Sequence, residues 1–413
     1  MYQHLLNEKL SGLKAVGQYR TFVTLNRICG RYPLARLEGN DERLVVVWCS
    51  NDYLGMSQHP VVRKAMHEAI DAYGAGSGGS RNIGGTHGLY GQLERSLAEW
   101  HGKEAALVFP TGFSSNEATL QCLLRQIPDC VVISDEKNHA SIIDGIRASS
   151  ANRKVYRHND LAHLEALLTE HPYETPKIVV FESVYSMDGD VAPINEIVEM
   201  ARRHNALTYL DEVHAVGMYG PRGAGLAAHN GIASQVDVIQ GTMAKAIGVI
   251  GGYIAGARWL VDAIRSFATG FIFTTSLPPV VVAGCLASIE HLKAQSYERE
   301  RLHVQTRRLR DALDALDIPV MSCSTTHVLP VLVGNADKCK AAAERLLHVH
   351  GIYLQPINFP SVAAGTERFR VNATPNHSDA QIDQLAEALR EVFAHFEIPF
   401  KTPRTSAALQ EVS

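Results

Sequence analysis

The chain has 413 residues, of which 46% are hydrophobic and 20% are charged, and its formal net charge is −4. This composition is typical of a folded globular protein and argues against disorder, and the length predicts one large domain with a smaller one. No basic field is available for nucleic acid, and no apolar stretch of the sequence is long enough to span a membrane.

The stretch from Met1 to Arg20 alternates polar and apolar residues without an unbroken apolar core, so we expect no signal peptide. Seven cysteines are scattered along the chain without CxxC spacing, which predicts neither a disulfide framework nor a zinc site. This cysteine usage is typical of a reducing compartment. We therefore expect a cytoplasmic enzyme without a bound metal ion.

Short apolar runs alternate with helical patterns over the first two thirds of the chain. The predicted strands are Ala105–Phe109, Val131–Ser134, Ile178–Phe181, Leu207–Asp211, Val236–Gln240 and Gly252–Ala255. The helical patterns between them include Asn116–Leu124, His139–Ala148, Leu161–Thr169 and Ile194–His204. This alternation predicts an α/β fold with a mostly parallel sheet that is buried on both faces. Ligands bind such sheets at the carboxyl ends of the strands, where polar residues collect in this sequence.

After Pro278 and Pro279 the pattern changes to long helices with isolated strands. The predicted helices are Val280–Ala294, Arg301–Ala315, Lys338–His350 and Asp379–Phe396, and the predicted strands are Val328–Leu332 and Phe369–Asn372. This pattern indicates a smaller α+β domain. We expect an N-terminal segment (1–50), a large domain (51–290), a small C-terminal domain (291–400) and a flexible tail (401–413).

The glycine cluster Gly74–Gly79 matches the G-x-G-x-x-G pattern of dinucleotide-binding proteins. That fingerprint requires a strand before it and a helix after it. Here it follows a predicted helix, Val61–Tyr73, and leads into more loop. The sequence therefore favours a loop whose glycines let the backbone approach a ligand over a dinucleotide site.

Lys245 follows a predicted buried strand and lies among small residues, a position that suits Schiff-base chemistry because desolvation lowers the pKa of a lysine. Asp211 ends another buried strand, which suits the partner of a pyridinium nitrogen, and His214 lies three residues further on. A surface lysine and a helix-capping aspartate are the alternative interpretations.

His139 follows the Val131–Ser134 strand and opens a predicted helix, so it can stack on an aromatic cofactor or serve a structural role. The segment Thr111–Asn116 joins a strand to a helix, and backbone N–H groups at such a helix start favour a phosphate. The combination of a phosphate loop, a histidine, a strand-end aspartate and a lysine is more informative than any one of them.

The sequence resembles the α-oxoamine synthases, which are fold-type I enzymes that use pyridoxal 5′-phosphate (PLP), and within that family the 5-aminolevulinate synthases. The resemblance runs from about Gln18 to Phe396. Its motifs are Cys49–Gly55, Asp211–Gly220, Phe271–Pro279 and Gln355–Pro360. It implies a fold like that of aspartate aminotransferase and a homodimer with shared active sites.

The resemblance implies a role for each matching residue of the cofactor site. Lys245 would form the Schiff base, Asp211 would pair with the pyridine nitrogen, and His214 would donate to the phenolic oxygen. His139 would stack on the ring, and Ser186 would lie near the cofactor. The remaining implied contacts are to the phosphate: Gly112, Phe113 and Thr242 from one subunit, and Thr274 and Thr275 from its neighbour.

The resemblance also implies the substrate contacts. Arg370 would bind the carboxylate of the amino acid, with Asn51 close by, because a guanidinium matches a carboxylate well. Arg20 would hold the distal carboxylate of succinyl-CoA, and Asn82 and Ile83 would line the same pocket.

Some positions depart from the family pattern. Ser80 and Ser361 stand where threonine is usual, one near the amino acid and one near the acyl carboxylate. Tyr90, Thr269 and Asn372 replace a histidine, a proline and a small hydroxyl residue. A lost methyl group changes substrate discrimination by about 1–3 kcal/mol. An amino acid such as glutamate, serine or alanine therefore stays open as an alternative to glycine.

The implied reaction is the decarboxylative condensation of glycine with succinyl-CoA, which gives 5-aminolevulinate, CoA and CO₂. Lys245 would remove the α-proton, and the segment Tyr353–Pro360 is a candidate lid. The alternatives are a nicotinamide-dependent oxidoreductase that uses Gly74–Gly79, and a PLP-binding protein without catalysis.

Overall fold

The computed structural model describes residues 1–15, 19, 21–39 and 43–401. Its strands are β1 (Leu25–Arg27), β2 (Leu34–Leu37), β3 (Leu44–Val47), β4 (Ala105–Phe109), β5 (Val131–Asp135), β6 (Asn152–Tyr156), β7 (Lys177–Glu182), β8 (Ala206–Asp211), β9 (Val238–Thr242), β10 (Gly252–Gly256), β11 (Val328–Leu332), β12 (Ile352–Tyr353), β13 (Pro356–Ile357) and β14 (Arg368–Asn372).

Its α-helices are α1 (Tyr2–Ala15), α2 (Pro60–Tyr73), α3 (Gly88–Trp100), α4 (Gly112–Gln126), α5 (Ala140–Arg147), α6 (Leu161–Thr169), α7 (Ile194–Arg203), α8 (Leu226–His229), α9 (Arg258–Phe267), α10 (Thr269–Ile272), α11 (Pro279–Ala294), α12 (Tyr297–Ala315), α13 (Ala336–His348) and α14 (Asp379–His395). Within the described ranges, no helix combines the length and the hydropathy that a membrane crossing requires.

The described chain divides into two compact units. The larger unit comprises residues 51–186 and 190–302, and the other comprises residues 1–50, 187–189 and the chain from 303 onward. Helix α12 begins in the larger unit and continues in the other one.

The larger unit is built on a seven-stranded sheet with the order β4-β10-β9-β8-β7-β5-β6. Strand β10 is antiparallel to both of its neighbours, and the pairings from β9 to β6 are parallel. The prediction of an α/β fold with a mostly parallel sheet is therefore confirmed. The parallel strands bring the residues that follow β5, β7, β8 and β9 to one edge of the sheet.

Both faces of this sheet are buried, as the continuous apolar runs predict. Val131 and Ile133 pack into one hydrophobic cluster, while Val132 between them packs into another. Successive side chains of a strand point to opposite faces, so the strand needs apolar residues at every position. This rigid sheet carries the strand-end residues that form the site described below.

The second unit contains two smaller sheets. One has the order β1-β2-β3-β12, and the other has the order β11-β14-β13 and is antiparallel. Helices α13 and α14 and the β11 and β14 strands contribute to one apolar core, which includes Leu346, Leu389 and Phe369. Helix α1 contributes no buried residue.

Candidate active site

Twelve residues line a cavity of about 200 Å³ at the carboxyl edge of the large sheet. They are Gly112, Phe113, Asn116, His139, Ser141, Glu182, Asp211, Val213, His214, Thr242, Ala244 and Lys245. A larger cavity, of about 640 Å³, lies among the starting residues of the strands, such as Lys177 and Ala206. The smaller cavity is the candidate site because it collects the predicted lysine, aspartate and histidines.

One end of the cavity is the start of helix α4. The Thr111 hydroxyl accepts a hydrogen bond from the Ser114 N–H at 3.0 Å, and the Ser114 hydroxyl accepts from the Thr111 N–H at 3.1 Å. The N–H groups of Gly112 and Phe113 belong to the first turn, which has no acceptor within the helix. A Cβ at Gly112 would lie 2.9 Å from Thr242 Oγ1, so only glycine fits. These donors and this close approach suit a phosphate.

Lys245 and His214 contact each other in the cavity. Lys245 Nζ lies 2.6 Å from His214 Nε2, and His214 Nδ1 lies 3.0 Å from the hydroxyl of the buried Tyr53. The Tyr53 hydroxyl donates to Asn51 Oδ1 at 3.2 Å. Each ring nitrogen of His214 therefore has a polar partner. The chain of contacts orients the imidazole toward Lys245.

Asp211 is a buried carboxylate that is held by two donors. Its Oδ2 accepts from Asn116 Nδ2 at 2.8 Å, and its Oδ1 accepts from the Val213 N–H at 2.9 Å. Asn116 is itself fixed, because its Oδ1 accepts from the Tyr209 hydroxyl at 2.9 Å. A buried charge needs such donors, and their presence indicates that Asp211 is placed to meet a cation.

Glu182 is the second carboxyl group of the cavity, and it is also buried. Burial, with a contribution from the charge of Asp211, raises the pKa of Glu182 well above its usual value. Its Oε1 accepts from the N–H of His139 at 2.6 Å, and His139 Nδ1 lies 2.8 Å from the Ser141 hydroxyl. The His139 backbone and ring are therefore both held, with the ring at the cavity wall.

The predicted residues of the larger unit fall into two groups. Lys245, Asp211, His214 and His139 line the cavity, as do Gly112, Phe113 and Thr242 of the predicted phosphate contacts. Asn51 contacts Tyr53, which in turn contacts His214. Ser186 lies outside the described lining residues, in the turn after β7.

A second predicted group lies on two loops that hold each other. Ser80 forms a bridge with Thr275, and the Ser276 hydroxyl donates to the backbone oxygens of Gly79 and Gly85. This pairing sets Ser80, Asn82, Ile83, Thr274 and Thr275 on neighbouring segments, and the cavity lining includes none of them among the described residues.

The remaining predicted residues belong to the second unit. Arg370 lies on β14 opposite Pro330 of β11. Ser361 lines a cavity of about 330 Å³ together with Tyr19, Tyr353 and Phe359. Arg20 lies outside the described residues.

The sequence reasoning assigned no role to three residues that the geometry singles out. Tyr53 and Asn116 hold His214 and Asp211, and Glu182 holds His139. Tyr53 belongs to the motif Cys49–Gly55, and Asn116 ends the segment Thr111–Asn116. The sequence signal that could have identified these residues is a polar residue within an otherwise apolar pattern.

Comparisons with known proteins agree with this geometry. The family model "Aminotransferase class I and II" matches residues 43–389. The 5-aminolevulinate synthase of Bradyrhizobium diazoefficiens is 50% identical over 407 residues, which cover 98% of this chain and 99% of that protein. The 5-aminolevulinate synthase of Rhizobium meliloti is 52% identical over 394 residues, which cover 95% of this chain and 97% of that protein.

Solved structures show the same fold. Serine palmitoyltransferase from S. paucimobilis, with a bound PLP–myriocin aldimine, superposes with a TM-score of 0.88 at 29% identity over 95% of this chain and 97% of that one. Sphingomonas wittichii serine palmitoyltransferase gives a TM-score of 0.88 at 29% identity over 96% of this chain and 98% of that one.

Proposed function

Because this chain belongs to the 5-aminolevulinate synthases of the class I and II aminotransferase family, and is therefore a PLP-dependent acyltransferase, we propose that it condenses glycine with succinyl-CoA. The products are 5-aminolevulinate, CoA and CO₂. The observation that carries the proposal is the 2.6 Å contact between Lys245 Nζ and His214 Nε2 in a cavity that also holds Asp211.

The residues that line the cavity fit the phosphate, the ring nitrogen and the ring face of PLP. Gly112, Phe113 and Thr242 would hold the phosphate, Asp211 would pair with the ring nitrogen, and His139 would stack on the ring. When bound, PLP supplies an electron sink for the negative charge that develops at the amino acid's α-carbon.

Lys245 has two tasks in the proposed reaction. Its Nζ would hold the cofactor covalently, and it would also serve as the base that takes the α-proton of glycine. His214 Nε2 lies within hydrogen-bond distance of that nitrogen and keeps it oriented. The new C–C bond forms as the thioester C–S bond breaks and CoA leaves as the thiol. The glycine carboxyl group then departs as CO₂, and a proton takes its place on the α-carbon.

The proposed substrate contacts rest on the resemblance to the family. We assign Arg370 and Asn51 to the glycine carboxylate and Arg20 to the distal carboxylate of succinyl-CoA. Ser80, Asn82, Ile83 and Ser361 complete the proposed substrate set. Ser186 is kept as a residue near the cofactor.

Exposed apolar side chains of the larger unit support a homodimer. Phe113 lies at the cavity wall and is 43% exposed, while Ile83 and Phe273 on the paired loops are 80% and 79% exposed. Large exposed apolar groups next to one another mark protein interfaces. A second subunit that covers them would bring Thr274 and Thr275 to the phosphate end of the neighbouring site.

We place the enzyme in the cytoplasm.

The proposal is tested by measuring CoA release with succinyl-CoA across a panel of amino acids. We expect turnover with glycine and loss of both turnover and the visible absorbance of bound cofactor in Lys245→Ala. Lys64→Ala, which removes an exposed lysine of α2, is the matched control and should behave like the wild type. Full activity in Lys245→Ala would refute the mechanism.

The same panel decides the amino acid. Release of CoA with glutamate, serine or alanine but not with glycine would replace glycine and leave the rest of the mechanism in place. Sedimentation of the holoenzyme checks the dimer.

A further inference from the structure

Two histidines and a glutamate of the larger unit meet outside the cavity described above. His59 directly precedes α2, His291 lies in the last turn of α11, and Glu298 lies in the first turn of α12. Their ligand atoms all lie within 4.8 Å of one another. Three separate elements therefore bring metal-binding side chains to one point.

The distances between the ligand atoms of these side chains are close to the distances between the ligands of one metal ion. His291 Nε2 lies 3.0 Å and His59 Nε2 lies 3.7 Å from Glu298 Oε1. Bonds of about 2.1 Å in tetrahedral geometry separate ligand atoms by about 3.4 Å. Shifts of about an ångström in the ligand atoms would place the three side chains around one ion, with a fourth position left for water.

The cluster also contains a carboxylate oxygen that suits a cation. Glu298 Oε2 is buried and has no hydrogen-bond partner among the residues that the structure describes. The side chains are 25%, 15% and 12% exposed for His59, His291 and Glu298, so the cluster is enclosed yet open to an ion from solution. An unsatisfied carboxylate oxygen at such a point is costly unless a cation or a donor meets it.

We propose that His59, His291 and Glu298 bind a divalent transition-metal ion, with Zn²⁺ as the best match. Two imidazoles and one carboxylate favour zinc and its neighbours over magnesium and calcium, which prefer oxygen ligands throughout. The ion would fasten the start of α2 to the connection between α11 and α12. This site departs from the expectation of no metal, which rested on the cysteine pattern.

One existing contact competes with the ion. His59 Nδ1 accepts the Val61 N–H at 3.3 Å and so caps α2. An ion at Nε2 moves the ring proton to Nδ1, and this hydrogen bond is lost.

The test uses untagged, PLP-saturated enzyme that is stripped with a chelator and then dialysed against Zn²⁺. We expect one tightly bound zinc ion per chain, and an affinity lower by about tenfold or more in His291→Gln and Glu298→Gln. His59→Asn keeps an acceptor that can cap α2 but removes the imidazole, and it should lose the zinc as well. His67→Gln, on the exposed face of α2, is the matched control and should keep it.

Thermal unfolding of the same enzymes gives an independent readout. Zn²⁺ should raise the unfolding temperature of the wild type and the His67→Gln control, and it should leave that of His291→Gln and Glu298→Gln unchanged. A wild type that binds no zinc above the level of His291→Gln, or variants that all keep the tight ion, would overturn the proposal. Neither outcome depends on the catalytic activity.

Discussion

His158 is held between two carboxylates, and this arrangement makes part of the stability depend on pH. Its Nδ1 lies 2.9 Å from Asp135 Oδ1 and its Nε2 lies 2.7 Å from Asp190 Oδ2. Both ring nitrogens must carry a proton to donate to both partners. The two carboxylates outweigh the effect of burial and raise the pKa of His158 to about 9.

The size of the effect follows from that pKa. The side chain is only 12% exposed, so solvent screens the interaction little. A rise from 6.5 to about 9 corresponds to about 3 kcal/mol of stability, since a tenfold change in proton affinity is worth about 1.4 kcal/mol. The folded-state pKa lies above the unfolded one. The stabilisation is therefore complete below about pH 6.5 and is lost as the pH rises through 9.

The measurement compares the wild type with His158→Gln. Urea unfolding of both proteins is followed from pH 6 to pH 10 at one fixed, saturating PLP concentration. Glutamine keeps a neutral donor but cannot carry the charge. The free energy of unfolding of the wild type should exceed that of the variant by about 3 kcal/mol more at pH 6 than at pH 10. Groups that titrate elsewhere cancel in this difference. Two curves that stay parallel across the range would refute the reasoning.

Two further predictions concern the buried contacts around the site. Asn116→Ala removes a donor from Asp211 and should weaken PLP binding by about 1.5–3 kcal/mol, measured as the dissociation constant of the cofactor; unchanged affinity would contradict the role of Asn116. Gly241→Ala places a Cβ 2.3 Å from the Tyr253 ring and should lower the free energy of unfolding by about 1–3 kcal/mol or more, whereas Gly76→Ala has nothing within 4 Å and is the control. Equal unfolding midpoints for the two alanine variants would contradict the steric argument.

The strand-end residues of the site could be predicted from the sequence. Asp211 and Thr242 end the apolar strands β8 and β9, and His139 follows β5 after a short turn. In a parallel sheet these positions meet at one edge whatever the details of packing. The local pattern therefore carries enough information to place their backbones.

The partners that orient those residues could not be predicted in the same way. Asn116 reaches Asp211 across 95 positions of sequence, and Tyr53 reaches His214 across 161. Such contacts depend on how helices and loops pack, which hydrophobic periodicity does not encode. The cluster of His59, His291 and Glu298 escaped prediction for the same reason.

Errors in the predicted elements also have a physical cause. Helix α4 begins at Gly112, four residues before the predicted start at Asn116, because its first turn is polar and is stabilised by the Thr111 cap. The short strands β1 to β3 have three or four residues each, which is too few for alternation to stand out. The spacing of apolar residues therefore does not predict capping contacts or strands of three or four residues.

The two carboxyl groups of the cavity show what the structure adds to the chemistry. Glu182 and Asp211 end the neighbouring strands β7 and β8 and are paired in register. Asp211 accepts from Asn116 and from a backbone N–H, whereas burial raises the pKa of Glu182 and favours its neutral form. Asp211 therefore has the donors that a buried carboxylate needs, and it is the group proposed to meet the pyridinium nitrogen. Glu182 is left to hold the backbone of His139.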